Sequence, residues 1–305
     1  MEYIRVMFST VTLNAAFRMS APLILGIAGY CFCRKAGIMN IALESFMLIS
    51  AFFALLGSYL TKSYFVGTLF GIAAGTILSA LYGLFTFHLG ANGLITGVGF
   101  NLSGWGLTTM LLVMIFNTRG ATNVGAVSFP TLDLPIINSI PFIKDIFNNQ
   151  TILVWLAPIL IAIAYVVMYK TTFGLRIRAL GLNPQAAETA GVSVVKYRWI
   201  AMLVSGACMG LAGTFLSLNS LAMFTENMSG GRGFMVMAST MVADGNPLKA
   251  MLYGLIFGYC QALSLTWSSL GVPTQLIGIL PYFAVLLVLF ITNFKNLKKY
   301  GKIKA

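Results

Sequence analysis

KTTFGLRIRALGLNPQAAETAGVSVVKYR, residues 170–198, lies between two stretches that carry almost no charge, 151–169 and 199–218. Each flank approaches the ~20 apolar residues that a helix needs to cross the hydrocarbon core of a bilayer. The stretch itself carries Lys170, Arg176, Arg178, Lys196 and Arg198. A short basic segment between two apolar runs reads as a cytoplasmic loop, because Lys and Arg are retained on that side of a membrane.

The same pattern extends in both directions. Further apolar runs occupy 11–33, 38–60, 64–88, 91–116, 248–267 and 275–293. Over the whole 305-residue chain, 58% of residues are hydrophobic and 9% charged, with a mean hydropathy of +0.89. Water-soluble domains carry about a quarter charged residues, so lipid is the solvent for most of this chain. The fold class is an all-α, polytopic transmembrane helix bundle of about eight full spans, forming a single domain over 1–305. A ninth run, 234–243, is too short to span alone, and 219–233 before it reads as a loop or broken helix. Irregular backbone at membrane depth survives only against protein or a water-filled cavity.

With 33–37, 170–198 and 294–305 inside, the segments 61–63, 117–150 and 268–274 fall outside. The C-terminus is then cytoplasmic, and the N-terminus external provided that 234–243 crosses. The segment from Asn117 to Gln150, with Pro130, Pro135 and Pro141, reads as an external cap. MEYIRVMFST lacks the order of a cleavable signal. The net charge of +12 collects in loops and forms no basic face with interleaved aromatics, so nucleic-acid binding is not expected. Cys31, Cys33, Cys208 and Cys260 have no metal-binding spacing and read as small buried hydrophobes.

Small residues recur every four positions in three runs: Gly67, Gly71, Gly75, Ser79 and Gly83; Gly206, Gly210 and Thr214; Gly254, Gly258 and Ala262. That spacing lets helix backbones approach closely in lipid. Pro22, Pro158 and Pro281 sit inside runs and are expected to kink them.

Within 170–198, Asn183-Pro184 reads as an N-cap followed by the first helical residue. Gln185, Ala186, Ala187, Glu188, Thr189 and Ala190 favour a helix, and Gly191 suits the left-handed position that ends one. A short alanine-rich helix at the inner face is a knob for another protein's groove, or simply packs under the bundle.

This loop resembles the coupling segment of ABC importer permeases of the branched-chain amino acid, ribose and nucleoside superfamily. The pattern T-x-F-G-L-x-x-R-A-x-G-x-N-P-x-A-A-x-x-x-G-[IV] runs from Thr172 to Val192. GIMNIALESFMLISAF at 37–52 is similar to a second family stretch, with Ser45 in place of glycine. TENMSGGRGFMVMAS at 225–239 is similar to a third, typical of the nucleoside and simple-sugar branch, and DGNP at 244–247 departs from the commoner G-x-x-x-P by carrying Asp244. The resemblance implies a type II importer-like fold and a permease of the bacterial cytoplasmic membrane. It also implies cytoplasmic ATPase subunits carrying ATP and Mg, a second permease (identical or related) and an external solute-binding protein. No cofactor is expected on this chain, which has no G-x-x-x-x-G-K-[ST] phosphate loop.

Ionisable groups within lipid are functional candidates. Glu44, near the inner start of the second run, stands four residues beyond Asn40 on one helix face. It is a gate in the translocation path, or a structural bond to Asn40 or neighbouring backbone. Asn92 and Asn101 do not make one polar stripe, so at most one faces a pore. Glu226 and Asn227, with Phe234, are candidates for the outer path, and Glu226 has an alternative partner in Arg232. Arg18 reads as snorkelling to the outer interface. His88 reads as structural. Catalysis finds no support: the one histidine has no evident nucleophile partner, and Ser45 lies in no nucleophile elbow. The solute class expected is small, neutral and polar, with nucleosides first, simple sugars second and branched-chain amino acids third. The rival is an ion-coupled secondary transporter, which calls for mid-membrane acids and discontinuous helices in both halves.

Overall fold

The structure is a computed structural model, described here for residues 9–122, 125–132, 145, 148–219, 222–269 and the single positions 283, 286, 287 and 290. In chain order it comprises α1 (Thr10–Lys35), α2 (Leu43–Thr61), α3 (Tyr64–Gly83, extended by one wider turn, Leu84–His88) and α4 (Gly93–Phe116). Next come β1 (Ala121–Thr122), β2 (Thr131–Leu132), β3 (Gln150–Thr151), α5 (Ile152–Lys170), α6 (Thr172–Leu182), α7 (Pro184–Thr189) and α8 (Val194–Leu218). β4 (Phe224–Thr225), α9 (Arg232–Val242) and α10 (Pro247–Ser269) follow.

Seven of these helices are long and apolar enough to cross a membrane. Of the eighth expected span, 275–293, the structure describes only the single positions 283, 286, 287 and 290, and Pro281 lies outside the described residues. Pro22 and Pro158 sit inside continuous helices.

The apolar character of α1 continues around its circumference, and a helix of that kind belongs inside a bundle. It is buried without interruption from Ser20 to Cys33, with α5, α8, α9 and α10 packed around it. The glycine stripes explain the crossings. A Cβ added at Gly210 would lie 2.7 Å from the Gly71 carbonyl oxygen, and one at Gly258 2.6 Å from Ser20 Cα. So the stripes of α3 and α8 face each other, and that of α10 faces α1.

The loops sort to two ends. At one end the chain leaves α1 at Gly37 (φ 74°), with Ile38 N–H donating to the Cys33 carbonyl at 2.9 Å. Gly181 of α6 abuts the Lys35 carbonyl there, Lys35 Nζ meets Asp244 Oδ2 at 3.0 Å, and Trp199 Nε1 donates to His88 Nε2 at 3.2 Å. This end gathers Arg34, Lys35, Arg176, Arg178 and Lys249, and is called the basic end below. At the opposite end β1 pairs with β4 and β2 with β3, both antiparallel. Lys62 Nζ there donates to the Gly125 carbonyl. The described parts of 117–151 are thus tied in at this end by two-residue ribbons.

α8 ends at the opposite end and Asp244 stands at the basic end, and the described residues 222–243 between them form a loop followed by a half-length helix. The 11 residues of α9 span ~16 Å, about half the hydrocarbon core.

Candidate functional site

At the basic end, α7 forms as its capping residues dictate. Asn183 Oδ1 accepts from Ala186 N–H at 3.2 Å, and Pro184 takes the first helical position, where its missing N–H costs nothing. Gly191 (φ 81°) closes the helix: its N–H donates to the Glu188 carbonyl at 2.9 Å, and Val192 N–H to Ala187's at 3.0 Å. These are the paired bonds of a Schellman ending. Gln185, Ala186, Glu188, Thr189 and Ala190 are exposed, whereas Ala187 is 5% exposed and faces the bundle. The two alanines therefore do different things. Two features escaped the sequence reading: 172–182 is a helix in its own right, and Leu182, at its junction with α7, is 88% exposed.

At mid-depth, two irregular segments meet. Gly231 N–H donates to Glu44 Oε1 at 2.7 Å, and Gly233 N–H to Oε2 at 2.8 Å. Both donors belong to the start of α9, where free N–H groups and the helix dipole favour a carboxylate. A Cβ at Gly233 would stand 2.5 Å from Glu44 N, so this contact needs glycine. Because Asp244 just beyond α9 sits at the basic end, Glu44 lies ~16 Å inside it. The sequence reading had put Glu44 near the inner surface, and the structure puts it near the middle.

The reason is that α2 starts at Leu43 rather than 38. Residues 38–42 run as irregular chain within the bundle, and three side chains satisfy it. Asn40 Oδ1 accepts from Ala42 N–H at 2.8 Å. Asn101 Oδ1 accepts from Ser45 N–H at 3.0 Å, and its Nδ2 donates to the Ile41 carbonyl at 2.9 Å. Tyr82 Oη reaches the Met39 and Gly93 carbonyls. Asn40 thus shares no helix face with Glu44 and does not pair with it. Asn101 is spent on backbone, and Asn92 is the N-cap of α4, accepting from Leu94 N–H at 2.9 Å.

Towards the opposite end, Glu226 N–H donates to the Gly120 carbonyl at 2.8 Å, and Glu226 Oε1 accepts from Gly120 N–H at 2.9 Å. The expected Glu226–Arg232 pair does not form. Arg232 braces its own loop through the Met228 and Ser229 carbonyls and donates to Gln261 Oε1. Asn227 is exposed in a turn at φ 54°, and Phe234 is exposed on α9. A cavity of about 670 Å³ opens beside Glu226, lined along α4 by Trp105, Gly106 and Thr109 and capped by Arg119. Arg18 lies towards this same opposite end. It lines three clefts among α1, the β2–β3 ribbon, Asn219 and the loop before α9.

Residues 11–289 match the family described as branched-chain amino acid transport system / permease component. The chain belongs to this family. Among relatives of this permease, the nucleoside ABC transporter permease protein NupC of Lactococcus lactis is 33% identical over 281 residues, covering 88% of each chain. The guanosine ABC transporter permease protein NupQ of Bacillus subtilis is 29% identical, covering 95% of this permease and 93% of the relative. Among solved structures, PsaBC from Streptococcus pneumoniae in complex with Fab superposes with a TM-score of 0.51 at 15% identity, covering 97% of this permease and 99% of that chain. That likeness speaks to fold alone.

The permease thus separates residues that the sequence had grouped as pathway candidates. Glu44, Asn40 and Asn101 form one hydrogen-bonded knot at mid-depth. Glu226 and Asn227 lie nearer the opposite end, and Glu226 lines the cavity beside α4. Tyr82 and Trp105 were missed. Each sits in a glycine-rich span that reads as packing surface, with no local signal to set it apart.

Proposed function

We propose that this permease is the membrane half of an ATP-driven nucleoside importer in a bacterial cytoplasmic membrane, with its basic end and C-terminus inside. The observation that carries the nucleoside reading is the 33% identity to NupC across 88% of both chains. In this reading two cytoplasmic ATPase subunits bind ATP and Mg, a second permease completes the pathway and an external binding protein delivers the solute.

α7 is the contact for the motor. Its exposed side, with Gln185, Ala186, Glu188, Thr189 and Ala190, is available to a groove, and Leu182 adds an apolar anchor. Ala187 transmits the push inward. From there the route is short. α6 abuts the end of α1 at Gly181, Lys35 holds Asp244, and α9 runs back to Glu44 at mid-depth. Displacing α7 would therefore tilt α9 and change the cavity beside α4.

The ion-coupled rival calls for a mid-membrane acid and broken helices, and both features are present. Yet each carboxylate oxygen of Glu44 is engaged by a backbone N–H that cannot release it without opening α9. A proton or sodium carrier needs a group free to exchange its ion, so Glu44 reads as a brace.

Uptake by the assembled importer in vesicles tests the reading. Nucleosides should accumulate, should outcompete ribose and glucose, and should stop when ATP is depleted. Accumulation that persists without ATP and collapses with the ion gradient would overturn it. Ala186→Arg should abolish copurification of the ATPase subunits and leave the thermal midpoint of the permease unchanged.

A further inference from the structure

Trp105 is an unusual residue for its place. It stands at the middle of α4, 53% exposed, whereas Trp in membrane proteins favours the two interfaces, where its N–H meets water or headgroups. Its indole N–H has no partner among the described residues. Facing lipid, that donor would be stranded in hydrocarbon, at a cost that protein groups or water would remove. Its neighbours are mixed: Leu102, Met110 and Val113 line the same cavity, the first two exposed, but small and polar groups stand among them. Ser103 is exposed, Gly106 leaves open space where a side chain would stand, and Thr109 lines the same cavity.

The cavity continues from Trp105 to Glu226. Glu226 Oε1 is held by Gly120 N–H, and Oε2 has no partner among the described residues. An aromatic face, a fixed carboxylate acceptor and about 670 Å³ of space lie on an open side of the permease. The volume falls within the roughly 300–1,000 Å³ typical of small-molecule sites.

We infer that Trp105 and Glu226 form one half of the solute-binding site in the membrane, Trp105 stacking on the nucleobase and Glu226 accepting from its N–H groups or the ribose hydroxyls. This rests on the nucleoside reading and deepens it. The other half comes from the second permease, since the cavity opens at the surface of this chain. The solute needs a flat aromatic face and hydrogen-bond donors, and carries no negative charge that Glu226 would repel.

The test uses the complete importer with its partner subunits in a host lacking its own nucleoside uptake, and measures entry of labelled guanosine, uridine and ribose. Wild type should take up both nucleosides. Trp105→Leu, which suits a lipid face, and Trp105→Ala should each lower uptake at sub-saturating nucleoside about tenfold, the scale of one lost base stack. Trp105→Phe, which keeps a ring, should stay within about threefold of wild type. Glu226→Gln, which keeps an acceptor for Gly120, should fall severalfold while membrane level and ATPase copurification are unchanged. A Trp105→Leu importer that reaches the membrane and transports like wild type overturns the site and leaves the nucleoside reading standing. A wild type that moves ribose and neither nucleoside overturns both.

Discussion

The polar loop at the basic end and the irregular knot at mid-depth are both interruptions of a helical bundle, and they are built on opposite plans. In 183–192 every stabilising bond closes within a few residues: Asn183 to Ala186, Glu188 to Gly191, Ala187 to Val192. In the knot the partners are remote. Glu44 meets Gly231 across 187 residues, and Asn101 reaches Ser45 across 56. A water-facing segment can leave some groups to solvent and be shaped by local rules. A segment inside the bilayer must find a protein partner for each backbone group, and the partners come from wherever the fold brings them.

The comparison can be broken first at the tightest contact. Gly233→Val would drive a side chain into the Glu44 backbone and should cost at least the ~1–3 kcal/mol of ordinary overpacking. The expected result is loss of monodisperse protein in detergent chromatography. Glu44→Ala leaves two N–H groups without their acceptor, each costing about 1–3 kcal/mol. It should lower the thermal midpoint clearly, and Glu44→Gln, which keeps one acceptor, should fall between it and wild type.

On the local side, Asn183→Ala removes one cap bond worth about 1 kcal/mol. Because α7 is exposed, thermal stability should barely move, and the deficit should appear as weaker ATPase copurification. The smallest effect belongs to the Lys35–Asp244 pair. Asp244 is 82% exposed, so Lys35→Ala should change stability by less than about 1 kcal/mol. Asp244 also has φ 48°, where a Cβ is disfavoured and glycine is not. Asp244→Gly should therefore be tolerated better than Asp244→Ala in the same melting experiment.

The same contrast marks what could be read in advance. Apolar run lengths located seven crossing helices, and the half-length of 234–243 was visible in its size. The caps of α7 were legible residue by residue because N-cap, proline and terminal glycine act locally. The start of α2 was not. Ile38, Ile41 and Ala42 continue an apolar run that reads as helix from 38, and what keeps them irregular is Asn101 and Tyr82, from helices later in the chain. Asn101 could be read as a pore residue for the same reason. Its job is to bond backbone 60 and 56 residues away, and nothing in its own neighbourhood says so. The glycine stripes lay between these cases: each was plain, and which faced which was not.

The clasp on Glu44 has a consequence for biosynthesis. Ribosomes add about 5–20 residues per second, so Gly231 is made roughly ten to forty seconds after Glu44. During that interval the second span holds an acidic group whose final partners do not yet exist. The carboxylate gains those partners only when the loop before α9 arrives, long after α2 and its neighbour α3 have been made.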